Sequence, residues 1–310
     1  MKTPVLMIIF NRPQYTRRVF EAIRAARPER LYIACDGPRT KDERAAVEAA
    51  RSATENVDWP CTVQRLYQDK NLGLRWGPPA GIGWFFEHEE AGIILEDDCL
   101  PHPDFFRFAS EMLERYRTDT RIIQITGTNM MPEFPHESSY FFSKFFNLWG
   151  WAAWRRSWAL YDPHMQEWPE LKKERLIERS FREGYLRRAL RGLIDDVYYG
   201  RHATWDIAWF LACIKANGLC VTPRTNLISN IGTEGVHSGS DSQNRPTAAL
   251  YNKSLVEPGA VQADIEFDAL WYRKVFYQSY PSWLRRKAWL LLMGQEWLKR
   301  PVRALLGRAR

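Results

Sequence analysis

Short apolar runs alternate with longer amphipathic stretches along the first 126 residues. Pro4 to Phe10 reads as a buried strand closing at Asn11-Arg12-Pro13, and Thr16 to Ala26 as a helix with Val19, Phe20 and Ile23 on one face. Leu31 to Ala34 is a second strand, closing at Asp36-Gly37-Pro38. A charged, Ala-rich helix follows over about Lys41 to Ser52, then a third strand, Val63 to Tyr67, and a Gly/Pro loop opened by Asn71-Leu72-Gly73. A helix around Ile82 to Glu89 leads into the apolar run Ile93 to Leu95, which opens directly into Glu96-Asp97-Asp98. Beyond it, Phe105, Phe108, Met112 and Tyr116 keep helical spacing behind Asp104 as N-cap, and Arg121 to Thr126 is another strand. This β-α-β-α rhythm predicts an α/β fold with a mostly parallel central sheet and helices on both faces.

The second half is less regular. Residues 140 to 158 form an aromatic block, residues 169 to 199 read as a charged helix, and Thr204-Trp205-Asp206 precedes an apolar helix running to Ala216. A strand near Cys220-Val221 and a polar loop over 229 to 246 follow, and no internal repeat is visible.

In a parallel sheet, ligands bind at the carboxyl ends of the strands. Those ends carry Arg12, Asp36 and Glu96-Asp97-Asp98. Three adjacent carboxylates at the end of a buried strand repel one another unless solvent screens them or a cation sits among them. Hard divalent cations such as Mn²⁺ or Mg²⁺ take oxygen ligands and share them with substrate phosphates. Each of the other candidates has two readings. Asp36 closes a turn or binds a nucleotide base or ribose; Arg12 is a surface cation or a diphosphate contact. Asp206 is a favourable acid at a helix N-terminus or a general base for an attacking hydroxyl. His237, in Gly-Val-His-Ser-Gly, is an incidental loop residue, a metal ligand or part of a closing loop. The Trp-rich block around Gly150 is core or a stacking platform for sugar rings. The pair Asp195-Asp196 lies in a charged helical stretch and reads as solvated.

Composition narrows the class. The chain has 310 residues, 45% of them hydrophobic, which supports a large core without disulfides. Five cysteines without a Cys-x-x-Cys pair signal neither a disulfide framework nor a zinc cluster and fit a reducing cytoplasm. No secretory signal or bilayer-spanning run is evident. The dinucleotide, P-loop and nucleophile-elbow motifs are missing too. The net charge of +7 sits in residues 282 to 310, which hold eight Arg or Lys against the single acid Glu296. With Trp283, Trp289 and Trp297 around a short apolar centre, that segment suits an interfacial helix on an anionic membrane, or a helix docked on the body. No nucleic-acid partner is expected.

The acidic turn followed by Pro103-Asp104-Phe105-Phe106 is the most specific pattern in the chain. Asn71-Leu72-Gly73, Gly150-Trp151, Trp205-Asp206 and Gly235-Val236 occur in matching order. Over roughly residues 4 to 245 this resembles a GT-A glycosyltransferase. The likeness is to bacterial family-2-like nucleotide-diphosphosugar transferases of the hemolytic-protein-like group, similar in turn to animal N-acetylglucosaminyltransferase I. The resemblance implies a Rossmann-like GT-A domain over 1–270, with a nucleotide half to about 130 and an acceptor half beyond, and a basic tail over 271–310. It implies a UDP-sugar donor and Mn²⁺ or Mg²⁺ held by Asp98; His237 is a further candidate ligand from its loop position alone. Asn11, Arg12, Asp36, Asn71, Glu96 and Asp97 would face the donor, and Trp149, Gly150, Trp151 and Trp205 the acceptor sugar. Asp206 would be the base of an inverting transfer to a glycan or glycolipid, for example a surface polysaccharide at the inner membrane face. The animal enzymes carry Trp-Asp-Asp-Trp where this chain has Trp205-Asp206-Ile207-Ala208-Trp209, so the single acid inherits the role. The rival readings are a sugar-phosphate nucleotidyltransferase, for which Asn11-Arg12-Pro13 is a poor phosphate loop, and a non-catalytic carbohydrate-binding protein on the same scaffold.

Overall fold

The structure is a computed structural model, and it describes residues 1–232, 247 and 254–274. Its centre is an eight-stranded sheet. Strand β1 (Val5–Ile9) lies between β2 (Arg30–Cys35) and β4 (Ala91–Glu96), parallel to both, and β2 in turn pairs in parallel with the edge strand β3 (Thr62–Tyr67). Helices α1 (Pro13–Ala26), α2 (Arg44–Ser52) and α3 (Gly77–His88) connect these strands in β-α-β fashion. Successive residues of the central strands serve opposite faces: Leu6 and Ile94 pack into one core, Val5, Met7, Ile93 and Leu95 into the other. Burial on both sides explains why these strands read as unbroken apolar runs.

Beyond β4 the expectation of a mostly parallel sheet is corrected. After the short β5 (Cys99–Pro101) and α4 (Pro103–Arg115) come β6 (Ile122–Thr126), β7 (Tyr140–Ser143) and β8 (Trp151–Trp154). The order is β3-β2-β1-β4-β8-β6-β9-β7, where β9 is Leu219–Pro223. Strand β8 runs antiparallel to both β4 and β6, β9 is parallel to β6, and β7 is antiparallel to β9. The sheet is mixed because the aromatic block contributes two strands, Tyr-Phe-Phe-Ser and Trp-Ala-Ala-Trp, that are buried on both faces and show no alternation. Their direction depends on distant partners.

Helix boundaries follow local chemistry. Pro13 and Pro103 stand at the first helical position of α1 and α4. The cap of α4 is His102, whose ring accepts from the Asp104 amide, so Asp104 lies within the first turn instead of capping it. The charged stretch 169–199 is three helices, not one: α6 (Trp168–Lys173), α7 (Leu176–Ser180) and α8 (Gly184–Tyr198). The first break is at Arg175, with φ of +59°, and the second is the extended Phe181. α5 (Arg155–Trp158) follows β8, and α9 (Asp206–Lys215) leads into β9. A last pair, β10 (Ile228–Asn230), folds back antiparallel on β5. Residues 265–274 are helical. Among the described residues no helix is long and apolar enough to cross a membrane.

Candidate active site at the strand ends

The carboxyl ends of β1, β2 and β4 place Asn11, Arg12, Asp36 and the acidic turn along one edge, as the sequence pattern predicts. The turn is partly neutralised by one arginine. The Arg12 guanidinium donates to Asp97 and, at 2.8 Å, to Asp98 Oδ2. Burial works against the Arg12 cation, but the two carboxylates outweigh it and hold it more firmly protonated than an ordinary arginine. Asp97 is only 2% exposed. Burial pushes its carboxyl up to about 6 despite Arg12 and the Phe10 amide, which donates to it at 3.3 Å. Glu96 is half-buried, and its carboxyl is pushed up to about 8, first by desolvation, then by repulsion from Asp98, Asp97 and Asp206. One guanidinium therefore does not balance the local negative charge.

The β10 segment closes over this turn. The Ile231 amide donates to the Asp98 carbonyl at 2.8 Å. Gly232 passes so near that a Cβ there would lie 2.7 Å from Asp98 Oδ2. His237 and the Gly235-Val236 pair, on the continuation of this chain, lie outside the described residues.

Asp36 is occupied by its own loop. Its Oδ1 accepts from the Gly37 and Leu72 amides, each at 2.8 Å, and its Oδ2 from Gly73 N at 2.9 Å and Asn71 Nδ2 at 3.0 Å. Asn71 also donates to Gly37 O at 2.7 Å. Together they pin the 71–73 loop to the end of β2. Asn11 turns toward α2, donating to Glu43 at 2.6 Å. In this structure Asp36, Asn71 and Asn11 thus shape the edge through bonds within the protein.

Asp206 opens α9, and α9 is held to the sheet by a buried amide. Gln124 on β6 accepts from the Trp209 indole N–H at 2.8 Å and donates to Asn147 O at 2.6 Å. The Asp206 carboxylate is oriented through one oxygen: Oδ1 accepts from the Thr204 hydroxyl and, at 3.0 Å, from the Ile207 amide. Its Oδ2 has no hydrogen-bond donor among the described residues. Trp151, paired with Ile94 of β4, packs against Trp205 at 6.4 Å, which brings Asp206 to the same end of the sheet as the acidic turn although 110 residues separate it from Glu96.

The aromatic candidates fall differently. Trp151 is fully buried and Trp205 is 3% exposed. They sit in a cluster with Trp158 and Trp209 at centroid distances of 5.3 to 6.4 Å. Neither presents an open ring face to a sugar here; they are core at the start of α9. Gly150 has φ of +60°, and a Cβ there would lie 2.3 Å from Ile228 Cδ1, so its role is close packing. Trp149 is half-buried and alone of this group keeps some exposure.

Sequence reading passed over Arg75 and Tyr161. Arg75 sits in the loop between Asp36-bound Gly73 and α3, and Tyr161 follows α5. The available signal was an arginine in a strand-end loop beside Asn71-Leu72-Gly73. A cavity of about 640 Å³ lies elsewhere, between α1 and α4, lined by Ala22, Ala25, Pro103 and Phe106, and holds none of the candidate side chains.

No protein-family model matches the sequence, and no curated protein aligns with it. Among solved structures, the fold is similar to apo UDP-glucose pyrophosphorylase, with a TM-score of 0.37 and 11% identity over 74% of this chain and 93% of that one. It is also similar to UDP-glucose pyrophosphorylase complexed with UDP-glucose, with a TM-score of 0.27 and 11% identity over 48% of this chain. The latter match spans 65% of that enzyme's chain. At such scores the likeness carries no argument about chemistry, which rests on the residues themselves.

Proposed function

We propose that this chain is a metal-dependent glycosyltransferase that moves a sugar from a nucleotide-diphosphate sugar, with UDP the favoured nucleotide, to a hydroxyl of a glycan or glycolipid. The carrying observation is that Asp206, with one oxygen unengaged among the described residues, follows Trp205, which packs on Trp151 of the strand paired with β4, the strand that ends in the acidic turn. Among the described residues no three His, Cys, Asp or Glu side chains alone form an ion site. The surplus of carboxylate over guanidinium nonetheless fits a divalent cation shared with donor phosphates, and Asp98 is the residue that would hold it. Such a cation neutralises charge on a departing diphosphate.

The chain's own residues supply the rest. Thr204 and the Ile207 amide fix Asp206 Oδ1, which leaves Oδ2 to accept the proton of the attacking hydroxyl. The sugar bond to the diphosphate breaks as the bond to the acceptor oxygen forms, which inverts the anomeric centre. The basic 282–310 segment would bring the acceptor reaction to an anionic membrane surface; sedimentation with anionic vesicles should be lost when it is deleted.

The test uses the full chain with UDP-glucose or UDP-N-acetylglucosamine and Mn²⁺. Asp98→Asn should abolish metal-dependent UDP release, and Asp206→Asn should lower it roughly 10²-fold or more with UDP binding intact. Unchanged release in both variants overturns the assignment. Formation of UTP from UDP-sugar and pyrophosphate would make the protein a nucleotidyltransferase instead.

A further inference from the structure

Arg75 is half-buried. Like Arg156 and Arg187, which donate to main-chain carbonyls instead, it has no carboxylate within ion-pair distance among the described residues. Its Nη2 donates to the Pro163 carbonyl at 3.2 Å, and its guanidinium lies 5.3 Å from the Trp76 ring centroid. Trp76 in turn packs on His164 at 5.4 Å. The cation is therefore held in one orientation against the 161–164 turn. Its Nε is buried with no partner.

Tyr161 shares this turn and this deficit. Its ring stacks on Trp158 at 4.4 Å and 14°, which fixes where the hydroxyl points, and that hydroxyl is buried without a hydrogen bond. Trp158 packs against Trp205 at 6.2 Å, the residue immediately before Asp206. Burial raises the Tyr161 phenol above its ordinary value, with Arg75 acting against the rise and Asp206 adding to it.

Leaving a half-buried guanidinium and a phenol hydroxyl unmatched is unfavourable, and an anionic oxygen satisfies both at once. Asp206 cannot be that anion if its open oxygen is to take a proton from the incoming hydroxyl. We propose that Arg75 and Tyr161 form an anion-binding subsite that seats an acidic group, carboxylate or phosphate, of the second substrate. Building on the transferase reading, this makes the acceptor an acidic saccharide, for example one bearing a uronate or a sugar phosphate, and Arg75 its specificity determinant.

The test is binding of methyl β-glucuronide, glucose 6-phosphate and methyl β-glucoside to the UDP-loaded full chain, followed by calorimetry or saturation-transfer NMR. The two acidic probes should bind at least tenfold more tightly than the neutral glucoside. Arg75→Gln should remove that preference while the Kd for UDP stays within twofold, and the milder Tyr161→Phe should reduce it about threefold. No preference in the wild type overturns the proposal. So does a preference that survives Arg75→Gln, or a tenfold loss of UDP affinity in that variant, which would assign Arg75 to the donor. An Arg75-dependent preference without any UDP-sugar turnover keeps the subsite and rejects the transferase; turnover without the preference does the reverse.

Discussion

Arg12 offers the sharpest test of how the acidic turn is held together. The side chains of Asp97 and Asp98 are 3% and 14% exposed, and that of Arg12 is 27% exposed. Besides the guanidinium, the only described donor to the Asp97 carboxylate is the Phe10 amide at 3.3 Å. Replacing Arg12 by Met keeps much of the side-chain volume and strands a buried carboxylate next to two others. Breaking a buried pair by removing one partner costs about 3 kcal/mol or more, whereas an exposed pair is worth at most about 1 kcal/mol. The burial of Asp97 puts Arg12→Met in the first class, so urea unfolding at neutral pH should show a loss of about 3 kcal/mol with an unchanged m-value. The melting temperature should fall by roughly 6 to 12 °C. Mn²⁺ should raise the melting temperature of Arg12→Met more than that of the wild type, because the ion then supplies the missing positive charge. A loss below about 1 kcal/mol would show that solvent, not Arg12, balances the turn.

Asp36→Ala removes the acceptor for four donors of the 37 and 71–73 segments, and amide exchange at Leu72 and Gly73 should speed up at least tenfold, with weaker UDP binding. Unchanged exchange would mean the loop holds itself. Gly150→Ala meets both a positive φ and Ile228, and should cost about 3 kcal/mol; Gly184→Ala, with open space at its Cβ, should stay within about 0.5 kcal/mol. Equal effects in the two variants would refute the packing account. Asp268 is 8% exposed and accepts from Ser143 Oγ and the Lys144 amide; burial outweighs both and pushes its carboxyl up to about 6. The folded state then binds this proton more tightly than the unfolded chain, so the group's contribution falls as pH rises through 4 to 6. Between pH 4.5 and 7.5 the wild type should lose about 2 kcal/mol relative to Asp268→Asn, and a constant difference in urea titrations would exclude this.

The first half of the molecule was legible because its signals are local. Strands buried on both faces read as apolar runs, amphipathic helices show their period, and the strand ends expose Arg12, Asp36 and the acidic turn on one edge. The second half was not, because the Tyr140–Ser143 and Trp151–Trp154 strands lack alternation, and only pairing with β4, β6 and β9 sets their direction. That pairing turned the expected parallel sheet into a mixed one. It also buried Trp151, against which Trp205 packs, although composition alone could equally place both at a sugar.

By itself the sequence determined which chemistry is present: three adjacent carboxylates after a buried strand, and a lone acid opening an apolar helix. Only the tertiary structure decided what each group is free to do. Arg12 is committed to Asp97 and Asp98, and Asp36 to its loop, while Asp206 keeps one oxygen open and Arg75 has no carboxylate partner among the described residues. The physical reason is that charge and hydrogen-bonding capacity belong to a residue type. Whether that capacity is already spent depends on neighbours that can lie a hundred residues away, as Glu96 and Asp206 do.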